Sequence, residues 1–229
     1  MSAELPQLPL SDFASRLEAR ASGLPPASVD QLYRHYQELR RWNARLSLVG
    51  PGTADEIVER HYAESLAALP LLEARPGQRV LLDVGSGAGF PGLVLAICCP
   101  RLLVTLLESR ERKVAFLTRA AHLSGTEARV RVVEGFLGDA LPGGAPETLD
   151  FVALRAVKLG SAAWAALRAR LTPGGLVLQW SGPESPPPPA GFRRGAEDVP
   201  LAGGKRRTIR VWATAGDRDE SPPHAPGRA

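Results

Sequence analysis

The run Asp83-Val84-Gly85-Ser86-Gly87-Ala88-Gly89-Phe90-Pro91-Gly92 places an acid, a hydroxyl and four glycines on one short loop. Glycine lets a backbone adopt φ > 0 and come close to a ligand. A second acid, Glu108, follows at the end of the apolar run that begins at Leu102. An acid there can accept hydrogen bonds from both hydroxyls of a ribose. Arg155 closes a third apolar run and offers a cation to a carboxylate or an acceptor group.

Two cofactor classes fit these residues. Gly87-x-Gly89-x-x-Gly92 matches the dinucleotide fingerprint, and the spacing to Glu108 suits it, so a nicotinamide oxidoreductase remains open. Two features favour S-adenosylmethionine. Asp83 stands just before the first glycine, where a charged group can reach an amino-acid moiety. Pro91 removes an N–H from the first helical turn, where a pyrophosphate would seek one. A Gly-rich turn that binds nothing is the plain alternative.

The elements around the loop must place it at one sheet edge. Residues 79–84, 102–108, 129–133, 148–154 and 176–180 read as strands, and 90–99, 109–124 and 162–171 as helices between them. Such alternation predicts an α/β fold with a mostly parallel, doubly wound sheet. Residues 207–214 alternate as a late antiparallel strand. Before the sheet, residues 1–78 read as a helical cap. A short helix is expected near 12–21, then a long one over 29–46 with Ser28 as its N-cap. Another follows Pro51-Gly52, opened by a Thr53–Glu56 capping box and carrying Ile57, Val58, His61, Tyr62, Ser65, Leu66 and Leu69 on one face. The expected division is cap 1–78, Rossmann-like domain 79–215 and a disordered tail 216–229, with a loop at 186–189.

Composition bounds the function. The net charge is +4, and the excess of base lies after residue 78, which permits a nucleic-acid partner without requiring one. No apolar run suits a membrane helix, and no secretory leader is evident at Met1. Cys98 and Cys99 are neighbours, poorly placed to bridge, and read as buried thiols of a cytoplasmic protein. No His/Cys spacing suggests a metal.

The acceptor side is told mainly by what it lacks. After the fourth strand the chain reads Ala153-Leu154-Arg155-Ala156-Val157, with no Pro-Pro-aromatic clamp for an exocyclic amine and no cysteine to activate a pyrimidine. A guanine N7 fits, because it carries no proton to remove and needs positioning rather than a strong base.

With these pieces in place, the chain resembles the RsmG (GidB) family of bacterial 16S ribosomal RNA guanine-N7 methyltransferases. The matching stretches are Arg41-Trp42-Asn43-Ala44-Arg45-Leu46-Ser47-Leu48, Glu59-Arg60-His61-Tyr62-Ala63-Glu64-Ser65, the whole Asp83–Gly92 loop, Leu107-Glu108-Ser109, Arg112–Leu117 and Leu154-Arg155-Ala156. The resemblance implies a class I methyltransferase fold. It implies that Gly85, Phe90, Leu137, Gly138 and Arg155 contact S-adenosylmethionine, with Glu108 near the ribose; the reading of the loop itself adds Asp83, Ser86, Gly87 and Gly89 as cofactor-binding residues. It also implies a single guanine near the decoding centre of the small ribosomal subunit as target, a monomeric enzyme, and Arg155 with Asn43 as residues nearest the chemistry.

Departures gather on the acceptor side. Leu137-Gly138 stands where the family commonly has Ala-Glu or Val-Glu. Leu178-Gln179-Trp180 lacks the family's fifth-strand lysine, and Thr208 replaces a histidine. They motivate a second expectation, a cofactor-binding protein that docks on RNA or the ribosome without catalysis. His61 is expected to be structural, and Tyr36 and Trp42 to be core. Arg40-Arg41, Arg110 with Arg112-Lys113, and Lys205-Arg206-Arg207 with Arg210 are basic clusters able to grip phosphates.

Overall fold

The computed structural model describes residues 4–182, 188–201 and 207–215. The expected tail at 216–229, the first half of the expected loop at 186–189, and Lys205-Arg206 lie outside them.

The N-terminal helices form because their apolar residues recur at three and four. α1 (Leu10–Glu18) buries Phe13 and Leu17. α2 (Pro26–Leu46) buries Leu32, His35, Tyr36, Leu39 and Asn43 along one stripe. Pro25 and Pro26 set the entry to α2, so its start lies earlier than Ser28 implied. Ser28 is a buried residue inside the first turn rather than the N-cap. Ser47 ends the helix in the left-handed region at φ 46°. Phe13, Tyr36 and Tyr62 are fully buried and meet at 5.1–6.3 Å between ring centroids. Each such ring contributes about 2 kcal/mol of apolar burial.

The next helix is interrupted, unlike the single helix expected. The Thr53–Glu56 capping box opens α3 (Ala54–Ile57) as anticipated. A π-helical turn, Val58–Ala63, then precedes α4 (Glu64–Leu66), and α5 (Leu69–Glu73) completes the layer. Such wide turns frequently mark functional sites.

The sheet is eight-stranded in the order β3-β2-β1-β4-β5-β8-β6, with β7 also on β8. The strands are β1 (Arg79–Val84), β2 (Leu102–Glu108), β3 (Val130–Glu134), β4 (Leu149–Arg155), β5 (Leu171–Ser181), β6 (Phe192–Arg194), β7 (Val199–Pro200) and β8 (Thr208–Thr214). β1 to β5 run parallel, and β8 is antiparallel to β5 as the sequence predicts. The helices α6 (Gly92–Cys98), α7 (Glu111–Leu123) and α8 (Ser161–Arg168) connect them. α7 begins at Arg110 without a side-chain cap, not at Ser109.

β5 starts five residues before the expected strand. Leu171 pairs with Leu149 and Leu176 with Phe151, so Thr172–Gly175 bulge outward inside the strand instead of breaking it. β6 and β7 were not anticipated, because three and two residues are too few to show a period. One continuous apolar cluster runs from Phe13 and Tyr36 through Leu93 and Phe116 to Val211, joining the N-terminal helices to the sheet. No described helix is long and apolar enough to cross a membrane.

Candidate cofactor and acceptor site

Strand order reverses between β1 and β4, so a crevice opens at their carboxyl ends, where open α/β sheets bind ligands. The Asp83–Gly92 loop leaves β1 there, Glu108 ends β2 beside it, and Arg155 ends β4. Gly85, Gly87 and Gly89 all take positive φ, at 71°, 57° and 83°. At Gly85 a Cβ would lie 2.8 Å from Val157 Cγ2, so only glycine fits this turn.

The loop spends its own N–H groups. Gly87 N–H donates to Glu108 Oε2 at 2.9 Å, Gly89 N–H to the Ser86 carbonyl at 2.7 Å, and Gly92 N–H to Asp83 Oδ2 at 3.0 Å. Ser86 Oγ donates to the Asp83 carbonyl at 2.9 Å. The Arg110 N–H donates to Glu108 Oε1 at 3.0 Å. A pyrophosphate would therefore find the amides at the start of α6 taken and two carboxylates behind them. A sulfonium nucleoside, with a cationic centre, an ammonium group and ribose hydroxyl donors, meets acceptors instead.

Burial pushes the Asp83 carboxyl up to about 7, against the opposing pull of the Gly92 N–H, Ser86 and the Arg155 charge. Leu137 is buried with Leu107 and Val133, so its side chain belongs to the core. Gly138 has open space where a side chain would stand. Beside them Phe136, which the sequence reading passed over, is 76% exposed two residues past the end of β3. Phe90 turns its ring toward the N-terminal helices, stacking on His61 at 5.0 Å and meeting His35 edge-on at 5.2 Å. The ring is thereby committed to the helical layer.

Arg155 pairs with neither Asp83 nor Glu108, the acids of the neighbouring strands β1 and β2. Its Nη2 lies 3.0 Å from Glu64 Oε2 and also donates to the Arg60 carbonyl in the π-helical turn. Glu64 is 3% exposed, and its other oxygen lies 2.6 Å from Arg207 Nη1. Trp180 Nε1 donates to the Glu64 carbonyl at 2.8 Å. Arg155 Nη1 is buried with no hydrogen-bond partner among the described residues. It is the donor left over on the guanidinium once Glu64 and the Arg60 carbonyl are served. Sequence reasoning gave Glu64 no role. Its place three residues past His61, within a matched stretch, was the available signal.

Asn43 is placed differently from expectation. It is fully buried, and its amide binds the Val49 backbone twice, accepting from the N–H at 2.8 Å and donating to the carbonyl at 3.1 Å. That closes the end of α2 and fits a positioning role rather than contact with reacting atoms.

His61 is held well below its usual range, at about 3, by burial and then by Arg155 and Arg60. It is neutral at physiological pH and a weak base. His35, which the sequence reading overlooked although it falls on the Leu32–Leu39 stripe, is fully buried and pushed down to about 4. Its Nδ1 lies 2.9 Å from Tyr62 Oη and its Nε2 2.9 Å from the Ala88 carbonyl. The carbonyl can only accept, so the neutral ring donates from Nε2 and receives the tyrosine proton at Nδ1. This fastens the glycine loop to the helical layer.

The lysine missing from the fifth strand leaves Gln179, whose Oε1 accepts from Trp212 Nε1 at 2.9 Å. Among the described residues no group of His, Cys, Asp and Glu could hold a metal.

Comparison with known proteins bears on the family and the fold. The profile of the family described as rRNA small subunit methyltransferase G (GidB) matches residues 28–185. A ribosomal RNA small subunit methyltransferase G from Rhodospirillum centenum is 39% identical over 173 residues, covering 75% of this chain and 76% of its own. The Myxococcus xanthus protein of that name is 37% identical over 175 residues, covering 74% and 78%. One from a Methylobacterium species is 44% identical over 127 residues, a match that spans only 58% of its length. Among solved structures, TrmN from Thermus thermophilus superposes with a TM-score of 0.51 at 22% identity, over 69% of this chain and 53% of its own. The glycopeptide N-methyltransferase MtfA, complexed with sinefungin, gives 0.53 at 14%, over 67% and 87%. These likenesses place the fold among the class I S-adenosylmethionine-dependent methyltransferases. By the family profile and by relatives matched over three quarters of its length, the chain belongs to the ribosomal RNA small-subunit methyltransferase G (GidB) family.

Proposed function

We propose that this protein methylates a guanine at N7 in 16S ribosomal RNA of the small ribosomal subunit, using S-adenosylmethionine. The observation that carries the choice of cofactor is the loop whose Gly87, Gly89 and Gly92 amides are satisfied internally, with Asp83 and Glu108 behind them. That arrangement suits a cation and disfavours the pyrophosphate of a nicotinamide dinucleotide. The bound cofactor supplies a methyl group on a positively charged sulfur.

The protein's own residues then do the following. Glu108 accepts from the ribose hydroxyls, Asp83 answers the positive charge of the amino-acid end, and Arg155 Nη1 binds its carboxylate. Leu137 and Gly138 bound the adenine with backbone groups. Residues 1–78 form the wall against which the acceptor base is laid, and residues 79–215 hold the cofactor. His61 takes no proton, which agrees with an acceptor that has none to lose. The enzyme acts as a monomer in the cytoplasm, where the buried thiols of Cys98 and Cys99 stay reduced.

Incubation with radiolabelled S-adenosylmethionine and small subunits lacking the modification tests this reading. Label in small-subunit RNA, absent from large-subunit RNA, is the expected result. Cofactor binding without transfer supports the second reading, a ribosome-docking protein that has lost catalysis, which the absent fifth-strand lysine motivates.

A further inference from the structure

Two of the basic clusters, far apart in sequence, meet in the structure. α2 packs along α7. Between them lies a cavity of about 810 Å³ lined by Arg41, Trp42, Arg45, Arg112 and Arg119, with Glu38 at its base. Glu38 is 1% exposed and accepts from Trp42 Nε1 at 2.6 Å and from Arg119 Nε at 2.5 Å. Its second oxygen takes Arg41 at 3.4 Å. One buried carboxylate thus orients two arginines, and the half-buried indole, packed edge-on against Phe116, forms the wall. Arg45 and Arg112 are exposed, and no described residue pairs with either. Four guanidiniums face two carboxylates in this groove, so it is a positive concavity with fixed walls.

The groove also leads to the cofactor loop. Lys113, the next residue on α7, brings Nζ to 4.0 Å from where a side chain on Gly87 would begin. Arg110 at the head of α7 donates its N–H to Glu108. We propose that the α2–α7 groove is the track for the RNA backbone, with Arg45, Arg112, Arg41 and Arg119 on successive phosphates and the strand directed toward the crevice. Guanidiniums pre-set by a buried acid lose less freedom on meeting phosphate than free ones would, and planar forks suit phosphate oxygens. Such contacts fix register rather than read sequence.

This inference rests on RNA being the substrate, and the test separates the two. Binding of small-subunit ribosomal RNA is measured against salt for the wild type, for Arg45→Ala/Arg112→Ala, and for Arg131→Glu on β3, outside the groove. Each lost phosphate contact lowers the log–log salt slope by about 0.7–0.9. The double variant should therefore lose about 1.5 in slope and roughly tenfold or more in affinity at low salt. Its S-adenosylmethionine affinity should be unchanged, which shows that it is folded. Arg131→Glu should keep the wild-type slope. A wild type that binds RNA, with a double variant of the same slope, overturns the groove alone. A wild type that does not bind RNA overturns both the groove and the proposed substrate.

Discussion

The carboxylate of Glu64 lies 3.0 Å from the guanidinium of Arg155, and only 3% of the Glu64 side chain is exposed. Arg207 closes the other side at 2.6 Å, so one acid serves two largely buried cations. Removing one member of a buried pair costs about 3–5 kcal/mol, because the charge left behind has no water to replace it. Glu64→Gln should destabilise the protein by about 3 kcal/mol in denaturant unfolding and weaken S-adenosylmethionine binding as Arg155 loses its anchor. Unchanged stability and affinity in the variant would show that Glu64 does not hold Arg155.

Asp83 predicts a proton linkage. Its carboxyl is raised to about 7, so near neutral pH a sizeable fraction is protonated without ligand. A cationic ligand favours the ionised form, so S-adenosylmethionine binding should release protons and tighten as pH rises through about 7, levelling off above it. Calorimetry in buffers of different ionisation enthalpy measures the release. Asp83→Asn should abolish it while keeping an acceptor for the Gly92 N–H. Equal proton release by variant and wild type would place the titrating group elsewhere.

His35 makes an opposite demand on stability. Its folded value, about 4, lies below the ordinary 6.5, so the native state disfavours its protonation. The neutral ring's contribution is fully present above pH 6.5 and is lost as pH falls toward about 4, amounting to about 3 kcal/mol. His35→Phe should be less stable at neutral pH, through loss of the Tyr62 and Ala88 bonds. It should also lose less stability than the wild type between about pH 7 and about pH 5. Parallel stability curves for the two proteins would contradict this account.

Two glycines of the site should behave oppositely. A Cβ at Gly92 would lie 2.6 Å from Asp83 Cβ and Oδ2 and 2.7 Å from Leu106 Cδ2, so Gly92→Ala pushes apart β1, β2 and the start of α6. It should cost about 1–3 kcal/mol and most of the cofactor affinity. Gly138 has nothing within 4 Å of the added atom, so Gly138→Ala should leave the thermal midpoint within a degree or two of wild type. Equal effects at the two positions would mean the loop is looser than its contacts indicate.

The sheet and the cofactor loop were legible because both are local signals. Apolar runs end at Asp83, Glu108 and Arg155, and those ends become the lips of the crevice. What stayed hidden depends on contacts between distant segments. The Arg155–Glu64 pair joins residues 91 apart, and nothing local marks Glu64 as buried. His35 was visible in principle on the α2 stripe, but its partner Ala88 lies 53 residues away. Asn43 looked like an acceptor-side residue because its sequence neighbours matched a motif, whereas its amide closes its own helix end on Val49. The π-helical turn left the apolar spacing nearly helical, so periodicity could not reveal it.

The most direct test of the central claim is the chemical identity and position of the product. Unmodified small ribosomal subunits are treated with the protein and S-adenosylmethionine, and the RNA is then mapped at nucleotide resolution by mass spectrometry and by cleavage at N7-methylguanine. The account predicts a single N7-methylguanine in the small-subunit RNA, lost in Arg155→Ala. Methylation at another atom or base, or none by a protein that binds the cofactor, would contradict it.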